Sequence, residues 1–106
     1  MRLGTRRSYA LGVPVGNYQR KTSVPLYMDI HTLDGGASVD EVGHAHAADL
    51  RVQGAHDVRY LRYWVSEANG KVFCLVEAPS AEAASIVHRA AHGLVADDVF
   101  EVQEGL

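Results

Sequence analysis

His88 and His92 stand four positions apart. On an α-helix that spacing places two imidazoles on one face about one turn apart, which suits two ligands of a single metal ion. Position 89 is Arg, so the pair is not the His-Glu-x-x-His motif of helical zinc sites. Solvated helix faces also carry such pairs by chance, so the spacing needs further donors nearby. Candidates are Asp29 and His31 in an alternating segment and Glu77 at the end of another. Imidazole with carboxylate suits nickel, copper(II), zinc or iron(II), and affinity order alone does not choose among them. His46 and Asp49 are helix neighbours at i,i+3, but His46 falls on an apolar stripe and reads as a hydrogen-bonded core histidine. His44 reads as solvated.

These donors need elements to carry them. Leu26 to His31 alternates apolar and polar, as a half-buried strand does. Ser38 with Glu41 forms a capping box, and a helix follows over Val39 to Gln53 until Gly54. Its apolar stripe uses Val39, Val42, Ala45 or His46, Leu50 and Val52. Arg59 to Val65 and Lys71 to Ala78 are rich in aromatic and β-branched residues and flank Asn69-Gly70, a hairpin signal. Ser80 caps a second helix over Ala81 to His92, with Gly93 at its C′ position. Asp98 to Gln103 is a last strand.

The order β-α-β-β-α-β with right-handed crossovers predicts an α+β, ferredoxin-like fold. Its four-stranded antiparallel sheet carries both helices on one face. The bare face then calls for a cover, either a second subunit or a ligand, and a homodimer through this face is the expectation.

Period 2 sends Leu26, Met28 and Ile30 toward the helices, and Tyr27, Asp29 and His31 to the bare face. A four-residue hairpin loop pairs Ser66 with Lys71, Trp64 with Phe73, Arg62 with Leu75 and Tyr60 with Glu77. Leu61, Tyr63, Val65, Val72, Cys74 and Val76 then face the helices. This reading places Asp29, His31 and Glu77 on the bare face, walled by Tyr27, Tyr60, Trp64 and Phe73. Cys74 reads as a small buried apolar residue, and becomes a soft ligand only under a different register.

The chain has 106 residues, enough for one domain. Residues 1–23 hold five Arg and Lys and no acid. The net charge of −3 overall therefore leaves −8 for residues 24–106. Such an acidic domain disfavours nucleic acid and attracts cations. One cysteine permits no intrachain disulfide and no Cys-x-x-Cys knuckle, which fits a reducing compartment. No apolar run reaches the roughly 18 residues of a membrane span, and the reading is cytoplasmic. Residues 1–23, broken by Gly4, Gly12, Pro14 and Gly16, read as a basic flexible tail, with a translation start near Val24 as a further expectation.

Several stretches together resemble a bacterial family of small nickel-binding proteins from actinomycetes. They are Val24 to His31, Ala45 to Leu50, Val58 to Trp64, Val72 to Ala83 and, most specifically, Val87 to Asp97 with both histidines of the second helix. The resemblance spans residues 24–104. It implies a dimeric ferredoxin-like protein that binds nickel, and no established reaction. Matching positions able to bind metal are Asp29, His31, His46, Cys74, Glu77, His88 and His92, and the ligand set expected is Asp29, His31, His88 and His92, with Glu77 close behind. Zinc or copper would suit the same donors. Three functions compete: a nickel buffer, carrier or sensor; a dimeric α+β-barrel enzyme acting on a small aromatic or carbonyl substrate; and an interaction module with incidental metal affinity.

Overall fold

A computed structural model describes residues 24–105. The tail reading and the start near Val24 concern residues outside that range. The elements are β1 (Leu26–Thr32), α1 (Val39–Val52), β2 (Arg59–Ser66), β3 (Lys71–Glu77), α2 (Ala81–Ala91) and β4 (Asp98–Val102). The sheet order is β2-β3-β1-β4, and every pairing is antiparallel. This is the ferredoxin-like α+β fold expected from the element order.

Local chemistry sets the helix ends. The Ser38 hydroxyl accepts the Glu41 backbone N–H at 3.1 Å, and Ser80 does the same for Ala83 at 3.1 Å. α2 stops one residue earlier than expected, with His92 as its C-cap and Gly93 at φ 84° closing onto the His88 carbonyl. The hairpin loop Glu67 to Gly70 pairs Ser66 with Lys71, Trp64 with Phe73 and Arg62 with Leu75, as expected. Gly70 sits at φ 63°, and a Cβ there would meet the Leu33 carbonyl oxygen at 2.9 Å. Only glycine fits that turn without strain.

The core lies between sheet and helices: Val58, Val72, Val76, Ala78, Ala84 and Val87 are buried, with Tyr27, Val42 and Tyr63 packed against them. On α1 the inward side carries Val42 and the buried Asp49, whereas Val39 and Leu50 are exposed. Leu50 therefore leaves the stripe expected for it, and a carboxylate takes the inward place.

Two face assignments are corrected. In β1, Asp29 and His31 point to the helices, because they pair with Cys74 and Val72 on the inward side of β3. Leu26 and Met28 lie instead on the open face beside Leu75, Trp64 and Val102. In β2 a bulge between Tyr60 and Arg62 breaks the alternation. Tyr60 consequently pairs with Val76 and turns inward, Arg59 takes its place opposite Glu77, and Leu61 lines the open face. The expected aromatic wall is divided: Tyr27 and Tyr60 are inside, Trp64 and Phe73 outside.

Candidate metal centre

His88 is the hub of the site. It comes from the last turn of α2, where the helix dipole favours a cation, and is 2% exposed. Its Nε2 lies 3.0 Å from Asp29 Oδ2, and its Nδ1 lies 2.9 Å from Asp49 Oδ1. β1 supplies Asp29, α1 supplies Asp49, and the imidazole spans the gap between sheet and helix. His31 Nε2 approaches the second Asp29 oxygen, Oδ1, at 3.2 Å. His92 Nε2 approaches Asp49 Oδ1 at 3.1 Å. The Tyr60 hydroxyl, turned inward by the bulge, reaches Asp29 Oδ2 at 3.2 Å and the Ala84 carbonyl at 3.1 Å.

Burial and pairing oppose each other here. Burial pushes the Asp29 carboxyl up, but the His31 and His88 imidazoles beside it outweigh burial and hold the pKa at about 2. Burial pushes the His88 imidazole down, but the two aspartates win and raise it to about 9. Metal-free His88 is thus an imidazolium between two carboxylates at neutral pH. Burial, then the nearby aspartates, push the Tyr60 hydroxyl and the Cys74 thiol up, so both keep their protons. Burial pushes His46 down.

The donors form two overlapping groups. One ligand atom each from Asp29, His31, Cys74 and His88 lie within 4.8 Å of one another, and so do atoms of Asp49, His88 and His92. The imidazole of His88 belongs to both, one nitrogen facing each. Two close approaches are not aligned hydrogen bonds: Asp29 Oδ1 and His92 Nε2 are buried polar atoms without a hydrogen-bond partner among the described residues. A buried carboxylate oxygen of Asp29 without an aligned hydrogen bond, set among the ligand atoms of His31, Cys74 and His88, suits a cation, so the donor set fits a metal ion.

Four of the five residues expected as ligands meet here, namely Asp29, His31, His88 and His92. Glu77 does not: it sits on the opposite face of the sheet, 3.5 Å from Arg59. Asp49 and Cys74 complete the cluster. The i,i+3 relation of His46 and Asp49 was the available clue to the former, and the inward alternation of Val72, Cys74 and Val76 to the latter.

A cavity of about 360 Å³ opens beside the cluster, on the helix side of the sheet, with Val42, Tyr63 and Val72 among its walls. None of the helices among the described residues is long and apolar enough to cross a membrane.

Fold and cluster together define a small ferredoxin-like protein with a buried histidine–carboxylate site of metal-ligand type. The chain belongs to the family described as nickel responsive protein SCO4226-like, whose model matches residues 27–102. It is similar to the crystal structure of SCO4226 from Streptomyces coelicolor A3(2), with 38% identity and a TM-score of 0.71. That match covers 76% of this chain and 99% of the other. No curated protein matches the chain.

Proposed function

We propose that this protein binds nickel as a buffer, carrier or sensor, without catalysing a reaction. The observation that carries the reading is the convergence of Asp29, His31, Cys74 and His88 from two strands and a helix, with one ligand atom of each within 4.8 Å of the others. Asp49 then holds the far nitrogen of His88, the carboxylate–histidine arrangement that orients metal-bound imidazoles. His92 supports Asp49 from the end of α2. The family's description as nickel responsive favours nickel over zinc or copper.

Calorimetric titration of metal-free protein with nickel tests this. Wild type binds one ion at this cluster. His31→Ala removes a ligand and weakens binding by at least about 100-fold, whereas His92→Ala, one step removed, weakens it about 10-fold. Wild-type affinity in His31→Ala refutes the ligand set.

The reading includes a homodimer through the open face of the sheet. There Met28, Leu75 and Phe100 form one row, and Ile30, Phe73 and Trp64 the next. Trp64 is 46% and Phe100 54% exposed, a combination that self-association would cover. Sedimentation of wild type is expected to give twice the chain mass, and Met28→Asp in the middle of the patch a monomer. A wild-type monomer at tens of micromolar removes the dimer from the proposal.

A further inference from the structure

The cavity beside the cluster is far larger than one ion requires. Its volume of about 360 Å³ lies in the range of small-molecule sites, which pair an apolar body with a few convergent polar groups. Val42, Ala45 and Leu94 form the apolar part. The imidazole of His46 and the ring of Tyr63 lie with centroids 4.8 Å apart on its wall, a surface on which another flat ring can stack. Gly43 permits this arrangement, since a Cβ there would press on the Tyr63 hydroxyl at 3.2 Å.

The polar part has a definite sign. Asp49 lies inside and Glu41 at the mouth, and no Lys or Arg among the described residues lines the space. One buried nitrogen on the wall, Nδ1 of His46, has no hydrogen-bond partner among those residues, whereas His92, whose Nδ1 accepts the Leu94 N–H, turns Nε2–H toward Asp49. A ligand that brings N–H donors satisfies His46 Nδ1 and the carboxylates, whereas an organic anion would meet carboxylates whose one countercharge on the wall, His88, is already bonded to Asp29 and Asp49.

We propose that this cavity binds a small aromatic amine, with one or two fused rings against Tyr63 and His46 and the amino group directed to Asp49. The proposal does not depend on metal binding, so its test uses metal-free protein in the presence of a chelator.

Tryptamine is the probe, and indole-3-acetate, the same ring system with a carboxylate, is the control. Titration of the isotope-labelled full chain, followed by amide NMR, is expected to show saturable binding of one tryptamine per chain. The largest shifts should fall on Ala45, Tyr63, Val72 and Leu94, and indole-3-acetate should bind at least about tenfold more weakly. Ala45→Trp, which fills the cavity, should abolish the tryptamine shifts. Nickel titrated separately into that variant reports the metal site on its own. Equal affinity for amine and acid overturns the proposal, as do shifts mapping elsewhere, or a folded Ala45→Trp that still binds. If Ala45→Trp does not fold, the wild-type shift map and the amine-to-acid ratio decide.

Discussion

His88→Ala is expected to lower stability by about 3–5 kcal/mol at neutral pH and to abolish nickel binding. The loss exceeds that of an ordinary inward side chain because of what remains. Asp29 and Asp49 are both buried, and His88 bonds to each of them at 3.0 and 2.9 Å. Without it, two carboxylates face each other across a gap with no cation between them. Acid should relieve the defect, which a simple cavity would not. In wild type Asp29 keeps its charge down to about 2, so its contribution is present above its ordinary value near 4 and is lost as pH falls toward 2. In the variant Asp29 loses its His88 partner, burial pushes its carboxyl up, and it takes up a proton at higher pH. The deficit measured by urea unfolding should therefore be largest near pH 7 and shrink below pH 4. A uniform deficit of about 2 kcal/mol at every pH would mean that His88 acts as packing volume and not as a charge partner.

The inward position of Asp29 and His31 explains how much of this site a reader of the sequence sees. Element order, caps, hairpin loop and the register of Trp64 with Phe73 all follow from local rules, because capping and turn chemistry involve residues a few positions apart. The histidine pair is local too. What fails is the assumption that the apolar half of an alternating strand faces the helices. In β1 both halves are buried to some degree, and the polar half points inward because α2 and α1 present His88 and Asp49 to it. That compensation comes from residues 59 and 20 positions away from Asp29, and no period in β1 records it. The bulge at Tyr60 is hidden in the same way. The run Arg59 to Val65 is read as a strand from its aromatic and β-branched residues with period 2 applied throughout, and only the demand of Asp29 and Ala84 for a hydroxyl donor shows why that period is broken. Glu77 was drawn to the site by the same inverted face, and it leaves the site when the face is corrected.

Nickel affinity is expected to rise about a hundredfold per pH unit between pH 6.5 and 8.5, because two protons must leave for one ion to enter. The first is on His88, which the aspartates keep protonated up to about 9 although its ordinary value is near 6.5. The second is the thiol proton of Cys74, which burial and Asp29 hold still more firmly. Titrations in buffers of different ionisation enthalpy count these protons directly, and Cys74→Ser should reduce the count from two to one. The metal-free protein should show the opposite trend. A histidine raised in the folded state stabilises it fully below the unfolded value, and that stabilisation disappears as pH climbs through the folded value. Stability without metal should thus decline by roughly 2–3 kcal/mol between pH 6.5 and 9 while affinity for nickel grows. The two slopes share the imidazolium proton of His88, which shields the two aspartates until the metal replaces it; the thiol proton of Cys74 enters only the first. Nickel binding that releases no proton at pH 7 would place the ion away from His88 altogether.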